Sequence, residues 1–127
     1  MKYLKIFLII ISFAIMMAGC KSVIHEIDFS LNNYVFETKV GEIIKLSLEG
    51  NPSTGFNWEM VSDGSPVVEF QNEEWNYEDQ EPGSPGVVTY TFEVMENGDG
   101  LINLIYHREW EEDVPPIEEF QLILSVH

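Results

Sequence analysis

Cysteine and basic residues are scarce in this 127-residue chain, and each shortage closes a class of explanation. A single cysteine, Cys20, rules out an internal disulfide, so the folded part must be held by apolar packing. Six lysines and arginines face 22 aspartates and glutamates, for a formal charge of −16. Such a balance repels polyphosphate, and nucleic acid is not expected as a partner. The apolar run from Ile6 to Ala18 has 13 residues, short of the roughly 20 that a membrane-crossing helix needs. Three histidines, His25, His107 and His127, are scattered without the spacing of metal ligands. Ser53 lacks the Gly-x-Ser-x-Gly setting of a nucleophile elbow. The acidic stretch from Glu73 to Glu81 and the segment Asn97-Gly98-Asp99-Gly100 lack calcium-loop spacing and read as solvated loops. No metal, no cofactor and no catalysis are expected.

Lys2 and Lys5, the apolar run, and the small residues Ala18 and Gly19 have the layout of a targeting signal over residues 1–19. Met17-Ala18-Gly19-Cys20 resembles the bacterial lipoprotein signal, in which the cysteine is acylated and becomes the new N-terminus. Cys20 is therefore the expected lipidation site. The expected location is the cell envelope after secretion, with the lipid as the sole membrane contact. Lys21 after the cysteine resembles sorting to the outer membrane where two membranes exist. The remainder, residues 20–127, suits one domain, and a monomer is expected. Without Lys2 and Lys5 four basic residues remain against 22 acidic ones, a formal charge of about −18.

Alternation dominates that domain. Ile44, Leu46 and Leu48 share a face, as do Phe56, Trp58 and Met60; Val88, Tyr90, Phe92 and Val94; Ile102, Leu104 and Tyr106; and Phe120, Leu122, Leu124 and Val126. Further strands are expected over Val23 to Ser30, Tyr34 to Thr38 and Val67 to Phe70. Turn residues separate them at Asn32-Asn33, Asn51-Pro52, Asp63-Gly64, Pro82-Gly83-Ser84-Pro85-Gly86 and Asn97-Gly98-Asp99-Gly100. No segment carries a helical stripe. The pattern predicts an all-β, immunoglobulin-like antiparallel sandwich of about seven strands. Residues 71–86, rich in Glu, Asp, Pro and Gly, are predicted to form its longest loop.

Asn51-Pro52-Ser53-Thr54-Gly55-Phe56 stands between two of these strands. Asn can close a turn with its side chain, Pro fixes φ and Gly permits φ above zero, so this loop should be stiff with a narrow hydroxyl-bearing tip. Phe56 can root its base beside Trp58. A pre-ordered loop enters a cleft at little entropic cost. Taken alone, such a segment reads more readily as a tight turn that happens to contain Ser and Thr.

That hexapeptide, followed by Trp58, resembles the signature loop of the chagasin family of cysteine protease inhibitors. About 50 residues on, Gly100 to Trp110 resembles the family's strand leading into an Arg-Pro-Trp loop, here Arg108-Glu109-Trp110. Pro82 to Gly86 stands where the family has a Gly-rich loop. The resemblance implies a wedge of three loops at one end of the sandwich that blocks a papain-family cysteine protease reversibly, without being an enzyme. Carried over, Asn51, Pro52, Ser53, Thr54, Gly55 and Phe56 form the central loop, with Ser53 and Thr54 nearest the protease's catalytic pair. Gly83, Ser84 and Gly86 grip one wall, and Arg108 and Trp110 brace the other. Arg and Trp are common interface anchors. Ser53 replaces the family's usual Thr, and Glu109 replaces its Pro, freeing φ there and adding a negative charge beside Arg108. The alternative is an adhesion or assembly module of the cell envelope, because such sandwiches host many binding functions. A solute-binding or structural envelope lipoprotein is a third possibility that no specific residue favours.

Overall fold

The computed structural model describes residues 21–127; the expected targeting segment, residues 1–19, and Cys20 lie outside the described residues. Eight strands form: β1 (Ile24–Ile27), β2 (Tyr34–Thr38), β3 (Ile43–Gly50), β4 (Asn57–Asp63), β5 (Val68–Tyr77), β6 (Gly86–Val94), β7 (Gly98–His107) and β8 (Glu118–Val126). They pair as two four-stranded sheets, in the orders β1-β3-β6-β5 and β2-β8-β7-β4. Among the described residues the only helical pieces are two three-residue 3-10 turns, and no helix is long and apolar enough to cross a membrane.

Alternating side chains decide which faces meet. Ile44, Leu46, Leu48, Val88, Phe92 and Val94 of one sheet and Ile102, Leu104, Phe120, Leu122, Leu124 and Val126 of the other are buried. Each such side chain contributes roughly 1.5–3 kcal/mol when fully buried. Tyr90 joins them with its hydroxyl, whose pKa is pushed far up by burial first and by the Glu73 carboxylate second. The phenol thus stays neutral and the core carries no charge there.

Two features depart from the expectation. Four pairings are antiparallel, whereas β1 runs parallel to β3 and β2 parallel to β8. The reason is that the segment from β1 to β2 leaves one sheet for the other at Asp28–Asn33. Asp28 caps the 3-10 turn Phe29–Leu31 there by accepting from the Ser30 N–H at 2.9 Å. Hydrogen bonds from Ser30 hold its carboxyl below the usual range. Asn32 Oδ1 then accepts from the Gln121 N–H at 2.8 Å, docking the chain on β8.

The second departure is the stretch 71–86. Its first seven residues are strand, not loop, because β5 pairs with β6 along its length through Tyr77↔Gly86, after a shift between Phe70 and Asn72. β5 is a sheet edge and its residues are mostly exposed, so Glu and Asn are tolerated where a central strand would exclude them. The loop shrinks to residues 78–85. Likewise Gly98, Asp99 and Gly100 open β7, leaving the turn before them to residues 95–97.

Leu104 is fully buried between the sheets, so Leu104→Ala should lower stability by about 2–5 kcal/mol. Thermal unfolding followed by circular dichroism should show the midpoint falling by at least about 8 °C.

Candidate functional site

Strand register puts three connections at one end of the sandwich. Gly50 lies opposite Gly86, which lies opposite Tyr77; Asn57 lies opposite His107, and Tyr106 opposite Glu118. The loops 51–56, 78–85 and 108–117 therefore leave from the same pole, and hydrogen bonds join them.

The first loop is built as its residue types suggest. Asn51 caps a 3-10 turn over Pro52–Thr54, accepting from the Ser53 N–H at 3.2 Å, with Pro at the first turn position and Gly55 closing it at φ 85°. Both tip hydroxyls are turned to Asn51: Ser53 Oγ donates to its side-chain oxygen and Thr54 Oγ1 to its carbonyl. An amide oxygen is no general base, so Ser53 is not set up as a nucleophile. Ser53 and Thr54 are exposed at the tip, while Pro52, Gly55 and Phe56 are half-buried.

Asn51 also reaches outward. Its Nδ2 donates to the Gly83 carbonyl at 3.0 Å, tying the first loop to the second. Its backbone N–H donates to the Tyr106 hydroxyl at 2.9 Å, tying the loop to β7. Tyr106 stacks on Trp58 at 5.0 Å and packs on Phe56 at 5.6 Å, and Trp58 Nε1 donates to the Glu49 carbonyl. Sequence reasoning missed Tyr106 as a site residue because its place in the β7 alternation marks it only as core. The one available signal was that a buried tyrosine hydroxyl needs a partner.

The third loop folds onto the first. Arg108 Nε donates to the Thr54 carbonyl at 3.1 Å, its guanidinium stands 4.2 Å above the Phe56 ring, and Nη1 meets Glu111 at 2.9 Å. Arg108 is thus engaged within the loop cluster. Glu111, not the adjacent Glu109, takes its charge. The Glu111 N–H donates to the Arg108 carbonyl, closing a turn in which Glu109 stands first after Arg108, an exposed position where Pro or any other residue fits. Trp110 is 68% exposed and its ring covers Gly55: a Cβ built on Gly55 would come within 2.2 Å of the indole. An aromatic this exposed is available as an interface anchor.

The second loop is the loosest of the three in its ties. Gly83 and Ser84 border a groove of about 570 Å³ between it and the first loop, lined also by Pro52, Ser53, Trp75 and Tyr77. Trp75 and Tyr77 stack at 5.9 Å. Gly86 is buried: a Cβ there would lie 2.7 Å from the Tyr77 ring. Its place is the root of the loop rather than the surface, so the structure brings ten of the eleven loop residues singled out above to the accessible pole. Among the described residues no three His, Cys, Asp or Glu side chains gather as a metal site requires.

Asn51→Ala removes a cap and the link to Gly83, and should cost about 0.5–2 kcal/mol of stability, read from denaturant unfolding. Gly55→Ala should cost about 1–2 kcal/mol through its left-handed φ. It should also displace Trp110, seen as a shift of its indole resonances by NMR.

Comparison with known proteins places this arrangement. Residues 37–124 match the family model described as chagasin family peptidase inhibitor I42. Chagasin of Trypanosoma cruzi is 24% identical over 108 residues, 81% of this chain and 98% of that protein. Among solved structures, the cysteine protease inhibitor EhICP2 from Entamoeba histolytica superposes with a TM-score of 0.75 at 20% identity, covering 86% of this chain and 100% of that one. PbICP-C, solved in complex with falcipain-2, gives 0.59 at 16% identity over 86% of this chain and 95% of that one. With eight strands in two facing sheets and a family match spanning most of its length, the chain belongs to the chagasin family of peptidase inhibitors.

Proposed function

We propose that the chain is a reversible, competitive inhibitor of papain-family cysteine proteases that fills the active-site cleft with its three-loop pole. The observation that carries this reading is the narrow 3-10 tip of Ser53 and Thr54, held from both sides by Asn51 and Arg108. Such a tip is ordered before binding, so little conformational entropy is lost when it enters a groove. With no nucleophile needed on the inhibitor, blockage is steric.

Roles follow from the family resemblance, and exposure agrees with them. Ser53 and Thr54 face the protease's catalytic pair, and Gly55 turns the backbone away beneath Trp110. Trp110 packs on one wall of the cleft, and Gly83 and Ser84 meet the other. Arg108 acts chiefly by locking the first and third loops together, because its three contacts are all within the chain. An adhesion module would have no use for so slender a tip. Acylation of Cys20 and residence at the cell envelope complete the proposal, resting on Met17-Ala18-Gly19-Cys20.

Residues 22–127 should inhibit papain competitively and reversibly in a steady-state assay. Absence of inhibition at micromolar protein, with the β-sheet circular dichroism intact, would sink the proposal. Trp110→Ala and Thr54→Glu should each weaken inhibition by about thirtyfold or more, as loss of an interface anchor worth about 2 kcal/mol implies. Inhibition untouched by either change would mean that another surface does the blocking.

A further inference from the structure

The end of the sandwich opposite the loops carries exposed apolar side chains, as do the loop pole and the outer face of β2, β8 and β7. β1 starts beside the start of β3, with Ile24 opposite Ile43, and Ile43 lies opposite Glu93 near the end of β6. The described chain therefore begins at the far pole from Ser53 and Trp110. Exposed apolar side chains gather there: Val23, Ile24, Val40 and Met95. Residues 21–127 hold four basic side chains, and two of them, Lys21 and Lys39, are exposed at this pole. Glu42, also there, is held by His25, and Asp63, Glu69, Glu93, Glu96 and Asp99 lie at the same end.

The distance to Cys20 is short. The Ile43 N–H donates to the Val23 carbonyl at 2.8 Å, so the chain is already tied to the sheet at Val23. Only Lys21 and Ser22 stand between that tie and Cys20. The three Cα-to-Cα steps from Val23 to Cys20 span at most roughly 10 Å, little more than the depth of one head-group layer, since head groups add roughly 10–15 Å in total to a core of roughly 30 Å.

We infer that this pole is a lipid-contacting surface, seated in the head groups of the bilayer that holds the Cys20 acyl chains, so that the loop pole stands away from the membrane. The inference rests on the proposed acylation of Cys20. Anchored so closely, the pole cannot avoid the interface, and Val23, Ile24, Val40 and Met95 meet it as apolar side chains do at a membrane surface. Lys21, next to the tether, and Lys39 face the head groups directly. β3 has eight residues and β7 ten, so at about 3.3 Å per residue the loops ride roughly 25–35 Å above the surface.

The test uses the full chain, processed in a bacterial host. Mass analysis of the N-terminal peptide establishes the lipid on Cys20; a peptide without lipid overturns the anchoring, whatever the protease assay shows. Since acylation consumes the sole native thiol, single cysteines introduced as Val40→Cys, Val35→Cys and Glu112→Cys can each carry one fluorophore. All three sites are exposed, and circular dichroism checks that each variant folds. The labelled proteins are placed in phosphatidylethanolamine–phosphatidylglycerol vesicles containing a head-group nitroxide lipid. Quenching at position 40 should exceed that at positions 35 and 112 severalfold. Equal or stronger quenching at 35 would mean that the domain lies on its side, at 112 that the loops face the lipid, and weak quenching at all three that it stands off; each overturns the inference.

Discussion

Tyr106 sits where the buried layer between the sheets ends and the loops begin, and its two halves do different jobs. The ring stacks between Trp58 and Phe56 and belongs to the core. The hydroxyl accepts the Asn51 N–H and belongs to the loops. A hydrogen bond of this kind contributes only about 0.5–1.5 kcal/mol net, yet it sets the point from which the first loop departs. Asn51 passes that position on, through its side chain to Gly83 and Ser53 and through its carbonyl to Thr54. Gly50 and Gly86 make room for this arrangement, since side chains there would strike Trp75 and Tyr77.

Charge completes the picture of what the loop pole offers. Among the described residues the only lysine or arginine at this pole, Arg108, is spent on Glu111, on a carbonyl and on the Phe56 ring. What remains for a partner is two hydroxyls, an indole and a rim of carboxylates. An ion pair about a third exposed contributes little by itself. Its value here is geometric, because a planar guanidinium can satisfy several directions at once.

Much of this was readable from residue order. Val88 to Val94 alternate without a fault and Phe120 to Val126 with the single break of Ile123, and the strands formed where the alternation lay. The hexapeptide at 51–56 announced its turn because Asn, Pro and Gly act on their own backbone. What escaped were non-local effects. β5 is rich in Glu and Asn and became strand because β6 offered it a ladder. The parallel edges depend on where the segment after β1 crosses between sheets, which no two-residue period encodes. Arg108 read as a hand extended to a partner, and only folding shows it closed on Thr54, 54 residues earlier in the chain. Gly86 read as part of a loop surface, though its neighbour across the sheet, Tyr77, covers it.

The strap formed by residues 24–38 is an edge strand of both sheets, lying parallel to β3 and then parallel to β8. A pull between Lys21 and the loops would run along β1 and β3 rather than across them. Their backbone hydrogen bonds lie across the strands, so they would have to slip together instead of parting one at a time. The fold is thus arranged to bear tension along its long axis, resisting shear where a hairpin pulled from its open end would unzip.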